Sequence, residues 1–353
     1  MNVRGWFRAC VVCVMLLSAG NSYAAPTSEN NERLRKALKQ YPEADANKDG
    51  VLTIQEARAF RDKAKGGQNS SSVKQGRKHP QLPAKTVSGK AVSGKELKGY
   101  NGLYMGHSFF KPSAVDLLEV IPDSPVVNHT QYIVMQGGQG GSPGFLWDNE
   151  RNRTKGQNYL DSGKVDLLVM TYYSPEDSSV EHYSKWFDYA LSKNPDMTFM
   201  IAIPWGKNPH LFDEAMLGDL EKRSEALQKM VIAPLRKKYS KNKVLFCPYG
   251  RGVYELIDRL NAGKLPGVKY VLNPDKKGRT KSKQANEQLV NDELGHGGKL
   301  VAKLGALLWM QTLYECDPLS MKPQRVEGLP DIDLNEIASS VYKKIEPYNA
   351  QYK

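Results

Sequence analysis

Gly102-Leu103-Tyr104-Met105-Gly106-His107-Ser108-Phe109-Phe110 is the stretch on which the reading of the whole chain turns. Residues of buried type run into a glycine and a serine follows two positions later, so a short strand is expected to end in a tight turn that presents a hydroxyl. Outward from it the same alternation repeats. Strands are expected at 102–105, 131–135, 165–171, 198–203 and 244–247, with helical patterns at about 113–121, 180–193, 213–238 and 252–262.

Strand and helix in alternation predict an α/β domain built on a flavodoxin-like parallel sheet with helices on both faces. In such sheets ligand chemistry sits at the carboxyl ends of the strands. The first strand ends at Ser108, the second in Gln136-Gly137-Gly138-Gln139-Gly140-Gly141, and the third in Thr171-Tyr172-Tyr173-Ser174. A fourth segment, Asn291-Asp292-Glu293-Leu294-Gly295-His296-Gly297-Gly298, runs into an apolar helix from Leu300 to about Tyr314.

These are the parts that acyl transfer needs. A serine is a poor nucleophile until a histidine removes its proton, and the imidazolium so formed needs an acid to orient and stabilise it. Backbone N–H groups at Ser108 and at Gly137 or Gly138 are suited to a developing oxyanion, because glycine lets the chain approach closely. On these residues the chain resembles the SGNH, or GDSL-like, hydrolases over roughly 101–318. The resemblance implies Ser108 as nucleophile, Gly137 or Gly138 as oxyanion glycine and His296 as general base, 188 residues after the serine. The family's acid stands three residues before the histidine, where this chain has Glu293, while the family's residue type is found at Asp292; both are carried as candidates. The family's third-block asparagine is missing from Tyr172-Tyr173-Ser174-Pro175. A tyrosine or serine hydroxyl there or Asn149 from the preceding loop are the candidate substitutes, the remaining alternative being a hole without this donor, and Trp147 and Trp205 lie near strand ends with faces suited to a sugar ring or to core packing.

Residues 45–56 match D-x-[DN]-x-[DN]-G-x5-E at every specified position. Oxygens come from Asp45, Asn47 and Asp49, from the carbonyl of Val51, from Thr53 and from Glu56, with Gly50 at the sharp turn. Helical patterns flank the loop at 30–40 and 54–65. This unit, 29–65, resembles the EF-hand family and implies Ca2+ at the residues just named. No second loop of this kind occurs to pair with it.

The chain opens on Arg4 and Arg8, an apolar run of about a dozen residues and then Ser22-Tyr23-Ala24, which reads as a signal peptide over 1–24, removed on export to the periplasm or the outside. Cys10 and Cys13 leave with it. Cys247 and Cys316 remain, either as a disulfide or as two buried thiols. The net charge is +12, but residues 61–100 alone carry ten Lys or Arg against Asp62 and Glu96. The excess therefore sits in a Gly/Ser/Lys-rich linker expected over 66–100, which argues against nucleic acid and leaves a solvated spacer or a tether to an anionic envelope polymer. Phosphate-loop, G-x-S-x-G and H-E-x-x-H signatures are absent from the sequence. The expectation is an exported, calcium-binding serine esterase, acting on an ester such as an acylated carbohydrate; the alternative is a non-catalytic Ca2+-dependent envelope or glycan-binding protein on a degenerate hydrolase fold.

Overall fold

A computed structural model describes residues 27–29, 31–53, 56, 57, 59, 60, 84–90, 96–211, 214–274, 286–329 and 331–352. The signal peptide expected at 1–24, and the linker positions 66–83 and 91–95, lie outside them. The chain divides into two compact units, Met1–Lys78 and His79–Lys353.

In the first unit, helix α1 (Glu32–Gln40) leads through a short 3-10 turn at Pro42–Ala44 into the acidic loop, and residues 56, 57, 59 and 60 are helical. Leu34, Ala44 and Leu52 form its small core, with Leu38, Ala57 and Phe60 against them. Residues 27 and 28 lie along the end of the acidic loop. Thr27 bridges Thr53, the Ser28 N–H donates to the Leu52 carbonyl at 2.8 Å, and the Leu52 N–H donates to Ser28 Oγ at 2.9 Å.

The second unit holds the alternating pattern. Strands β1 (Lys85–Val87), β2 (Leu97–Lys98) and β3 (Asn101–Gly106) are followed by helix α2 (Phe110–Val120), then β4 (Val126–Val127) and β5 (His129–Met135). Next come α3 (Pro143–Asp148), α4 (Glu150–Leu160), β6 (Leu167–Thr171), α5 (Val180–Leu191) and β7 (Thr198–Ala202). The chain closes with α6 (Glu214–Leu227), α7 (Ala233–Lys238), β8 (Val244–Cys247), α8 (Arg251–Asn261), α9 (Lys299–Tyr314) and α10 (Leu334–Tyr342). The main sheet runs β1-β5-β3-β6-β7-β8, parallel throughout except for β1, and β2 pairs with β4 apart from it. Its five parallel strands thus stand in the order second, first, third, fourth, fifth, the flavodoxin-like arrangement, and the order reverses beside β3. Strands β6, β7 and β8 are buried along their whole length, as continuous apolar runs require when helices cover both faces.

The part of the expected linker nearest the domain is not a spacer. Residues 85–87 form the antiparallel edge of the main sheet and 97–98 pair with β4, so the folded unit starts before residue 101. Lysines at 85 and 98 mask the pattern, because on an edge or solvent face a charge is tolerated where a central strand would exclude it. At the opposite edge the outward groups of β8 are also met. Phe246 N–H donates to Asn349 Oδ1 and its carbonyl accepts from Asn349 Nδ2, both at 2.9 Å, while Val244 N–H donates to the Tyr352 hydroxyl at 3.0 Å.

Helix α9 is predominantly apolar and buried from Leu300 to Tyr314 apart from Lys303, which marks it as a core helix. Gly305 lets it cross α2 closely: a Cβ there would lie 3.1 Å from that of Ser113. Trp309 stacks on Tyr104 of β3 at 6.0 Å and leans on Phe110 of α2 at 4.7 Å. This packing brings the loop ahead of α9 back to the turn after β3. Cys247 and Cys316 are both buried free thiols, which settles the sequence alternatives against a disulfide.

Candidate functional site

Ser108 stands in the turn between β3 and α2, at the carboxyl end of the sheet beside the strand-order reversal. Its Oγ lies 2.8 Å from His296 Nε2, and His296 Nδ1 lies 2.7 Å from Asp292 Oδ2. With Nδ1–H donating to the carboxylate, Nε2 is left as the acceptor facing the hydroxyl. The histidine and aspartate side chains are each about four-fifths buried.

The carboxylate that meets the imidazole is Asp292, while Glu293, the candidate that family spacing put forward, is exposed. The reason is a tight turn over 292–295. Gly295 N–H donates to the Asp292 carbonyl at 2.9 Å, and Gly295 itself sits at φ +90°, a conformation that favours glycine. Asp292 Oδ1 accepts from the N–H groups of Gly295 and His296, both at 3.1 Å, so Oδ2 is free to face the imidazole. Asp-x-x-Gly is itself a turn signature, and that was the signal available in the sequence.

The loop is braced from outside. Trp205 Nε1–H donates to the Gly295 carbonyl at 2.7 Å, its ring stacks on Phe109 at 5.0 Å, and Phe109 meets the edge of His296 at 5.1 Å. Trp205 is thereby a buried support for the histidine, and Trp147 packs at right angles on Trp186 at 5.0 Å. Trp205 presents no free face for a sugar, whereas Trp147 is half-buried.

The glycine segment after β5 forms the facing wall. Gln136 N–H donates to the Gly106 carbonyl at 3.1 Å, and Gly141 packs so tightly on the turn after β3 that a Cβ would run into the Gly106 carbonyl and lie 2.6 Å from His107 N. Gly137 and Gly138 are exposed, with open space at their Cβ positions, and Gly138 has φ +52°. Gly141→Ala is therefore expected to separate the two walls. The measurement is thermal unfolding: a fall of roughly 1–3 kcal/mol in stability from overpacking is expected, and an unchanged melting temperature would contradict the close contact.

Two of the suggested stand-ins for the missing asparagine have other partners. Asn149 Oδ1 caps α4 through Asn152 N–H at 3.1 Å, and the Ser174 hydroxyl donates to Asp177 at 3.2 Å. The end of β6 is instead engaged by His107, whose Nε2 lies 3.3 Å from both the Tyr172 carbonyl and Thr171 Oγ1. Burial pushes this imidazole down to about 4, so it is neutral near pH 7. His107 was not singled out from the sequence; its position between the strand glycine and the serine was the only signal.

In the first unit the acidic loop is folded largely on its own backbone. Asp45 accepts from the N–H groups of Lys48 and Gly50, both at 2.9 Å, Asp49 accepts from Val51 N–H at 2.8 Å, and Gly50 has φ +81°. Glu56 accepts from the Thr53 backbone and hydroxyl, at 3.0 and 2.7 Å, which lowers its carboxyl below the usual range, and from Asn47 N–H across the loop at 3.4 Å. The donor types suit a hard cation and the turn is bent as such a loop requires. Among the described residues, however, no three His, Cys, Asp or Glu side chains are grouped to hold a metal.

No protein-family model matches the chain, and no curated protein matches it. Among solved structures it is similar to a DUF4886 family protein from Bacteroides uniformis, 14% identical, with a TM-score of 0.46 over 71% of this chain and 95% of that one. It is also similar to the periplasmic domain of the Salmonella ser. Paratyphi A lipopolysaccharide acetyltransferase, 11% identical, with a TM-score of 0.31 over 61% of this chain and 82% of that one. Likenesses this distant carry no statement about activity. Among the described residues, no helix is long and apolar enough to cross a membrane.

Proposed function

We propose that the second unit is a serine ester hydrolase of SGNH type. The observation that carries this reading is the continuous relay from Ser108 Oγ to His296 Nε2 at 2.8 Å and from His296 Nδ1 to Asp292 at 2.7 Å. Ser108 Oγ attacks the ester carbonyl while His296 takes its proton, and Asp292 steadies the imidazolium. The oxyanion is met by the N–H of Ser108 with that of Gly137 or Gly138. His296 then protonates the leaving alcohol, and water, deprotonated by the same imidazole, releases the acid. An ester on a carbohydrate outside the cytoplasm is the substrate class proposed, in keeping with the signal peptide read from 1–24. The test is a fluorophosphonate label together with a panel of short-chain nitrophenyl esters. Labelling at Ser108 with turnover is expected; no label and no turnover would favour the rival, a glycan-binding protein on a hydrolase scaffold.

A second reading concerns the first unit, and the bent loop at Gly50 with Glu56 folded back toward Asn47 favours it. We propose that Asp45, Asn47, Asp49, the Val51 carbonyl, Thr53 and Glu56 take Ca2+ once Asp49 and Glu56 exchange backbone partners for the ion. Because Leu52 is already paired with Ser28, the hand needs no second copy to complete its strand. Calorimetric titration is expected to give a dissociation constant of about 10⁻⁴ to 10⁻³ M, the range of extracellular modules. Glu56→Ala is expected to remove the heat, and equal binding by that variant would refute the assignment.

A further inference from the structure

At the start of α2 one residue accepts nearly every amide. The His107 carbonyl accepts from the N–H groups of Phe110 and Lys111, both at 3.1 Å, and His107 Nδ1 accepts from Phe109 N–H at 3.2 Å. A helix start leaves its first N–H groups without partners in the helix, so something outside must meet them. Here the amide left over is that of Ser108, the one beside the hydroxyl that faces His296.

We infer that His107 is a positioning residue for the oxyanion hole: by holding Phe109 N–H on one ring nitrogen and the end of β6 on the other, it fixes the Ser108 N–H open toward the carbonyl of a bound ester. This rests on the reading of Ser108 as nucleophile.

The ring is held on every side. Since Nδ1 accepts, Nε2 carries the hydrogen and donates to the Tyr172 carbonyl at 3.3 Å, with Thr171 Oγ1 at the same distance. Phe109 and Tyr173 stand edge-on to it at 5.9 and 5.8 Å. Both nitrogens are taken, so His107 is no rival to His296 as the base. Its burial keeps Nδ1 unprotonated at neutral pH, with His296 and Lys207 as the neighbouring groups that further disfavour a proton.

Removing the Nδ1 acceptor leaves a buried Phe109 N–H unmet, which the turn relieves by rotating, and rotation carries the Ser108 amide with it.

The experiment compares the full-length wild type with His107→Leu and His107→Asn on nitrophenyl acetate, alongside binding of a phenylboronic acid, which forms a tetrahedral adduct on an active serine. Asparagine keeps an acceptor able to reach a backbone N–H two residues on, as in an Asx turn. His107→Leu is expected to lose about 10² to 10³ in kcat, with KM within about threefold and with boronate affinity reduced in step with kcat. His107→Asn is expected to recover most of both. Should the leucine variant not fold, His107→Gln, whose acceptor stands one bond too far out, replaces it with the same expected loss. The inference is overturned if the leucine or glutamine variant keeps kcat within threefold, if the loss falls on KM instead, or if asparagine fails to rescue. Absence of a fluorophosphonate label on wild-type Ser108 would instead overturn the hydrolase reading itself, so the two failures are told apart.

Discussion

Ser108→Ala is expected to lower kcat for ester hydrolysis by on the order of 10⁵ to 10⁶-fold, to the level left by the oxyanion donors and binding alone. The hydroxyl has one side-chain partner in the relay, the His296 imidazole, and the residue is half-buried, so its loss removes the nucleophile without opening a cavity. Binding of an unreactive ester analogue should therefore be unchanged, and circular dichroism should match the wild type. The fluorophosphonate label should vanish with the activity. A variant that still turned over at a tenth of the wild-type rate would show the relay to be coincidental.

The second large effect separates two adjacent acids. Asp292→Asn is expected to lower kcat by about 10⁴, because the amide stabilises the wrong imidazole tautomer and cannot balance the imidazolium. Glu293→Gln is expected to stay within about threefold of the wild type, as an exposed surface change away from buried features does. The comparison is sharp because both substitutions remove one negative charge from the same turn. Equal losses would mean that general electrostatics, and not the 2.7 Å contact, governs the histidine.

The central strands were legible because each is a run of apolar residues bounded by polar helix, and burial on both faces leaves such strands no other composition. Two kinds of element were not legible. Helix α4, Glu-Arg-Asn-Arg-Thr-Lys-Gly-Gln-Asn-Tyr-Leu, has too few apolar positions for a periodicity, and its start is fixed by the Asn149 cap. Strands β1 and β2 carry lysines and sit in a segment whose composition reads as spacer. In the site, residue type and chain order pointed to Ser108 and His296, which the fold brings to within 2.8 Å of each other. The choice of Asp292 over Glu293 was not legible there, since it depends on the turn that Gly295 allows. Core packing for Trp205 was one of the two sequence alternatives, but its bond to the Gly295 carbonyl, and that of His107 to the Tyr172 carbonyl, join residues far apart in the chain and leave no local pattern.

The two flanks of the main sheet have a bearing on life at high concentration. On one side Lys85–Val87 lies against β5, and on the other Asn349 and Tyr352 occupy the outward main-chain groups of β8. Copies that collide therefore meet an occupied ladder on the β8 flank and, on the other, an edge strand of only three residues that carries Lys85, and both features disfavour growth of a fibre by strand addition. Shortening the carboxyl end would remove one of the two guards while leaving the chemistry on the far rim of the sheet untouched.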